Sequence, residues 1–179
     1  MSGALGAALL SMVCNLTLGK KRYADVQEDI TELVEKTEAL RHRLTDLLEA
    51  DVEVFTRVSA AYKMPRTTPE DKAARSAAIQ EALKAATQVP LDVAKACVDV
   101  IELCAQTAEQ GNKGAVSDAG VAVLMAEAGL RSAALNVLIN LNAIKDEAFC
   151  TKWGNKLDAL LKDKPAIKDQ IYELVVEKL

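Results

Sequence analysis

The sequence predicts an all-α fold, one domain over residues 1–179 built as a bundle of about six helices around a long central apolar helix. Three observations carry that expectation. Half of the residues are apolar but only 3% are aromatic, so the core is assembled from Ala, Leu and Val, a composition that suits helices. Apolar positions recur in steps of three and four over long stretches, and no segment shows the period-two alternation of a half-buried strand. Only four prolines interrupt the 179 residues, a length that buries a substantial core in one domain.

The first helix is expected over about Gly3 to Leu18, ended by Gly19. Its small residues Gly3, Ala4, Gly6, Ala7 and Ala8 permit close backbone approach. Lys20, Lys21 and Arg22 follow the apolar run instead of preceding it, and Asn15 and Thr17 interrupt it. It therefore reads as a buried helix, not a signal peptide or membrane span. The basic cluster is either a solvated turn or a seat for an anion such as a carboxylate tail.

From Asp25 to Tyr62 a coiled-coil-like seam runs through Val26, Ile30, Leu33, Thr37, Leu40, Leu44, Leu47, Asp51, Val54 and Val58. Asp51 takes a seat on the core face where the pattern asks for Leu or Val. A carboxylate there must be paired, protonated or turned to a polar cavity. Tyr62 lies close to the same face. After a loop over Lys63–Thr67, Thr68 caps a helix with Pro69 in its first position and Glu70 and Asp71 in its first turn. Pro90 is expected to kink or restart that helix, which ends near Gln110.

A turn at Gly111-Asn112-Lys113-Gly114 leads into the central helix, Ser117 to Asn142. Asp118, Ala122, Met125, Gly129, Ser132, Asn136 and Asn140 fall on one narrow face of it, with leucines on the other sides. Two readings fit: close helix packing with the asparagines satisfying buried polar groups, or a ligand groove with Asp118 as its charged end. Glu127 and Arg131 can pair across one turn, which argues against a membrane span. Asp146 is expected to cap a helix over about Glu147–Lys162, and Pro165 to open the last one.

Bulk properties narrow the function. A net charge of −4 with few aromatics leaves no footprint for nucleic acid. Four cysteines without C-x-x-C pairing point to core thiols in a reducing cytoplasm. The one histidine, His42, sits between Arg41 and Arg43 on an expected solvent face, so no transition-metal site is expected. No Ser-His-Asp set, phosphate loop or dinucleotide fingerprint is present. What remains is Asp51, Asp118, the basic cluster, several asparagines and Tyr62. The helix dipole would favour Asp118 as an anion, although capping alone would also explain it.

GALGAALLSMVCNLTLGKKRY, the Asp51-to-Tyr62 segment and GNKGAVSDAGVAVLMAEAGLRSAALNVLINL closely resemble the cyclodeaminase family of folate enzymes. That family includes the cyclodeaminase half of formiminotransferase-cyclodeaminase and stand-alone methenyltetrahydrofolate cyclohydrolases. The resemblance covers nearly the whole chain and implies an all-α bundle that dimerises, with a tetrahydrofolate derivative as substrate and no metal or redox cofactor. Family members carry a proline- and glycine-rich loop before the first helix, whereas here Met1-Ser2-Gly3 starts almost inside it, so a missing N-terminal segment is expected. The resemblance favours cyclohydrolase activity, with cyclodeaminase activity or a non-catalytic scaffold as alternatives. Asp51 and Asp118 are the expected acid/base or charge-stabilising pair, and Lys21 a proton-transfer or tail-binding residue. Lys20 and Arg22 are expected to hold the folate glutamate, and Asn15, Tyr62, Asn112, Ser117, Asn136 and Asn140 to orient pterin or water.

Overall fold

The computed structural model describes residues 1–179. Six α-helices follow in order: α1 (Ser2–Asn15), α2 (Gln27–Lys63), α3 (Pro69–Gln110), α4 (Val116–Ala143), α5 (Glu147–Leu161) and α6 (Lys164–Val176). Short 3₁₀ turns, Lys21–Val26 and Lys113–Ala115, precede α2 and α4. No strand forms, as the sequence predicts.

The local signals act where expected. Thr68 Oγ1 accepts from the Asp71 N–H at 3.1 Å while Asp71 accepts from the Thr68 N–H at 3.1 Å, a reciprocal capping box. Asp146 accepts from the Phe149 N–H at 3.0 Å and starts α5. Two boundaries differ. Helix α1 stops at Asn15, and residues 16–19 form turns that close on Gly19 at φ 70°, a conformation glycine adopts freely. Helix α2 starts at Gln27 because Tyr23, with φ −116°, interrupts the helical path.

Pro90 does not restart the helix. Helix α3 runs unbroken through it for 42 residues. A proline lacks the N–H that would bond the carbonyl four residues back, which here belongs to Ala86. The Asn140 side-chain N–H of α4 donates to that carbonyl at 3.0 Å. A neighbouring helix thus supplies the missing donor, and the helix continues.

Helix α4 lies against α1, α3 and α6. Ala119, Ala122, Val123 and Ala126 are wholly buried in the main core beside Ala7, Leu10, Val100 and Ile101. The α1–α4 crossing is tight. A Cβ on Gly6 would meet the Ala122 carbonyl oxygen at 2.9 Å, so only glycine lets the backbones approach this closely. Burial pushes the Cys14 and Cys97 thiols up to about 11 and Cys104 higher still, which keeps all three neutral and inert.

Helix α1 runs antiparallel to α4, with Gly3 beside Gly129 and Leu16 beside Asn112. It covers only the first part of α2. Ile30, Leu33, Thr37 and Leu44 are buried, whereas Val52 and Phe55 are 67% and 70% exposed. The predicted seam is a core contact to about Leu47 and the wall of an open groove beyond it.

Candidate active site

The predicted site residues gather at two ends of α4. At its N-terminal end lie Asn15, the basic cluster, Asn112, Ser117 and Asp118. The Asn112 N–H donates to Thr17 Oγ1 at 2.8 Å and its side-chain N–H to the Leu16 carbonyl at 2.9 Å. Asn112 Oδ1 accepts from the Gly114 N–H at 2.9 Å, and the Lys113 N–H donates to the Tyr23 hydroxyl at 3.0 Å. This loop is therefore tied to the end of α1 and to the basic turn. Lys20, Lys21, Arg22 and Ser117 are exposed beside it, and Asp118 is half-buried in the first turn of α4.

At the other end Asp51, Tyr62, Asn136 and Asn140 line adjoining clefts of about 170 and 360 Å³ between α2, α3 and α4. Asp51, Pro90 and Asn136 border both. The floor is apolar, from Val58, Leu83 and Ala86, and Phe55 stands exposed on the wall. Asp51 is exposed, not on a buried core face. It borders a cleft that Met1, Ser2 and Gly3 also line.

The small-and-amide stripe of α4 divides accordingly. Gly129 is buried at the edge of the smaller cleft, where an added Cβ would meet Cys97 Sγ of α3 at 2.9 Å and the Gly3 nitrogen of α1 at 3.1 Å. Ser132 is exposed and its hydroxyl donates to the Ala128 carbonyl at 2.7 Å. The Asn136 N–H donates to the Ser132 carbonyl at 3.1 Å, which leaves its side-chain oxygen for the groove. Close packing holds along the stripe up to Gly129 and an open cleft lies beyond it, but Asp118 is not the charged end of that cleft, whose lining carries Asp51 instead.

Within one chain the two ends do not meet. Asp118 and Asn136 are eighteen residues apart on one helix, which separates them by about 27 Å along its axis. Asp51 lies beside Asn136, so it cannot share a proton path with Asp118 of its own chain.

The sequence reading missed a polar network between α1 and α2. The Ser11 hydroxyl donates to Glu38 Oε1 at 2.5 Å, and Arg41 donates to Glu38 Oε2 through two nitrogens at 2.6 and 3.0 Å. Asn15 donates to the Ser11 carbonyl and hydroxyl at 2.8 and 3.2 Å, so its amide is oriented with the oxygen outward. Hydrogen bonds from Arg41 and then Ser11 hold the Glu38 carboxyl below its ordinary 4.5. A Glu and an Arg three apart on α2, opposite a lone serine on an Ala-rich face, is the signal that could have found it.

Residues 1–159 match the family model for formiminotransferase-cyclodeaminase. The chain belongs to that family. It is 52% identical to a methenyltetrahydrofolate cyclohydrolase of Methylorubrum extorquens, over all of this chain and 86% of the relative. It is 35% identical to the formimidoyltransferase-cyclodeaminase of Rattus norvegicus over 89% of this chain, which spans 30% of that longer protein. Its fold matches a solved formiminotetrahydrofolate cyclodeaminase of Thermotoga maritima at a TM-score of 0.79 and 34% identity, over 99% of this chain and 83% of that one.

Proposed function

We propose that this protein is a methenyltetrahydrofolate cyclohydrolase, converting 5,10-methenyltetrahydrofolate to 10-formyltetrahydrofolate. The observation that carries the reading is the 52% identity to a cyclohydrolase over the whole of this chain. The chemistry suits the groove. Methenyltetrahydrofolate holds a cationic carbon between two nitrogens. Water adds its oxygen to that carbon and a base takes one of its protons. The bond to the pterin-side nitrogen then breaks, that nitrogen receives a proton, and the remaining hydroxyl proton leaves as the formyl C=O forms, so that one proton is released in all. Carboxylates serve as base and as counter-charge to the cation, and the apolar floor suits the flat pterin. In this reading Asp51 is the carboxylate of the groove and Asn136 orients pterin or water, while Lys20, Lys21 and Arg22 take the glutamate tail. Asp118, about 27 Å along α4 from Asn136, does not reach the same carbon within one chain.

The reading extends to setting. The enzyme acts as a homodimer in the cytoplasm, away from membranes and without a metal or redox cofactor. Four unpaired thiols support a reducing compartment. Although α4 is long and apolar enough to cross a membrane by length and composition, it carries the Glu127–Arg131 ion pair and packs one side into the main core.

The Thermotoga neighbour favours a second reading, ring closure of formiminotetrahydrofolate with loss of ammonia. Both reactions pass through a tetrahedral carbon bridging the same two nitrogens, so one set of carboxylates could serve either. Supplying methenyl- and formiminotetrahydrofolate separately and comparing kcat/KM decides between them. Faster turnover of the methenyl substrate is expected. Faster ammonia release would reverse the order, and inactivity on both would leave a scaffold.

A further inference from the structure

The larger cleft, of about 360 Å³, has an uneven polar lining. It includes no lysine, arginine or histidine, and its polar side chains are Asp51, Tyr62, Asn136 and Asn140. Asp51, as a carboxylate, only accepts hydrogen bonds. Each asparagine can present either a donor or an acceptor, so what the cleft recognises depends on which way the two amides are turned.

For Asn140 the backbone of α3 decides. The Ala86 carbonyl can only accept, so the end of the Asn140 amide that lies 3.0 Å from it is the NH2, and the amide oxygen is left for the cleft. The opposite orientation would set two acceptors against each other. That carbonyl is open to Asn140 because residue 90 is a proline, with no N–H to give it. With an ordinary residue at 90, the carbonyl would be satisfied within α3 and the Asn140 amide would be free to turn. Asn136 is turned the same way by a tie within its own helix, to the Ser132 carbonyl at 3.1 Å. The cleft thus offers three acceptor side chains and one side-chain donor, the Tyr62 hydroxyl.

These groups also have an order. Helices α2 and α4 run side by side in the same direction here. Leu48 and Asp51 border the smaller cleft with Ser132 and Asn136, whereas Val58 and Tyr62 border the larger one with Asn140 and Ala143. Asn140 therefore lies about 6 Å beyond Asn136 along the axis, on the side toward Tyr62. A tetrahydropterin has a matching polarity. Its reacting carbon is attached at one end of the ring system. The other end carries a 2-amino group and a ring N–H, both donors, beside a single carbonyl.

We propose that Pro90 is a positioning residue for the substrate. By freeing the Ala86 carbonyl it turns the Asn140 oxygen into the cleft, where that oxygen accepts from the 2-amino edge of the pterin while the reacting carbon lies beside Asp51. The Tyr62 hydroxyl, further along, donates to the ring carbonyl. The inference rests on the folate reading of the cleft. It does not depend on which reaction follows, because the methenyl and formimino substrates carry the same amino edge.

The test separates the backbone duty of Asn140 from its acceptor, using calorimetric binding of 5-formyltetrahydrofolate and of its counterpart lacking the 2-amino group. Wild type should prefer the amino compound by at least about 5-fold, the cost of leaving a buried polar group unpaired. Pro90→Ala combined with Asn140→Leu gives the Ala86 carbonyl an N–H again and removes the amide, so the fold should stand and the preference should vanish. Pro90→Ala combined with Asn140→Asp keeps an acceptor and should keep the preference. Pro90→Ala alone should raise KM for methenyltetrahydrofolate by about 2- to 10-fold with kcat unchanged, the effect of having to order one freed side chain on binding. A wild type without the preference, or a folded Asn140→Leu double variant that retains it, overturns the placement of the amino edge. An unaltered KM in Pro90→Ala overturns the role of Pro90. A wild type that shows the preference yet turns over neither substrate refutes the cyclohydrolase reading and leaves the placement standing, whereas no binding of 5-formyltetrahydrofolate refutes both.

Discussion

The two ends of α4 are built from similar residues and use them differently. At the N-terminal end the amide of Asn112 is spent on fixing a loop, with both its oxygen and its nitrogen bonded to backbone. At the C-terminal end Asn136 and Asn140 each give their nitrogen to a carbonyl, and their side-chain oxygens border an open groove. A structural bond therefore does not disqualify an asparagine from a site; it can set the amide's orientation. Along α1 the surface of α4 is closed by close contacts at Gly6 and Gly129, and residues 132–140 border the groove.

The largest expected effect concerns the open end. Asp51→Asn keeps the shape of the side chain and removes its charge, so it should lower turnover of methenyltetrahydrofolate by about 100-fold or more, the range of general acid–base contributions. Circular dichroism and melting temperature should stay unchanged, because Asp51 is exposed. Full activity in Asp51→Asn would remove the groove's claim to the chemistry and shift attention to the other end.

The next effect is on stability and probes how Asn140 divides its duties. Asn140→Ala should destabilise the fold by about 1–3 kcal/mol, because it leaves the Ala86 carbonyl without a donor. Pro90→Ala restores the backbone N–H that bonds that same carbonyl. In the double variant the loss should therefore be much smaller than in Asn140→Ala alone, a coupling read from urea denaturation of the four proteins. Independent, additive effects would mean that the 3.0 Å contact does not hold α3 together at Pro90.

Much of this was legible in the sequence. The capping box at Thr68, the cap at Asp146 and the all-helical pattern are local, and the structure follows them. Pro90 was not legible, since its missing hydrogen bond is repaired by a residue fifty positions away on another helix. Asp51 stands out in the sequence as a break in the seam, and it borders a cleft. Its exposure depends on how α2, α3 and α4 diverge around that cleft, which no local pattern encodes. The common face of Asp118 and Asn136 was readable from helical angle alone. Their distance along the axis was readable too, yet a face invites treating its members as neighbours.

The smallest effect belongs to the closed end and tests whether the Ser11–Glu38–Arg41 network acts through charge. The Glu38 carboxyl is held below its ordinary 4.5 chiefly by Arg41 and then by Ser11. A lowered carboxylate contributes stability that is fully present above its unfolded value and lost as the pH falls through its folded one. Glu38→Gln can still accept a hydrogen bond from Ser11 or Arg41, so it removes the charge and little else. Wild type should therefore melt slightly higher than the variant at neutral pH, by a small margin because Glu38 and Arg41 are each 36% exposed and screened by solvent. The gap should narrow as the pH is taken below 4.5 and close once Glu38 is protonated in the folded state. Asp99, whose carboxyl burial pushes the other way, is present in both proteins and cancels in the comparison. A gap that stays constant from neutral to acid pH would show that the network holds α1 to α2 by shape alone, and the orientation of Asn15 would then owe nothing to the Glu38 charge.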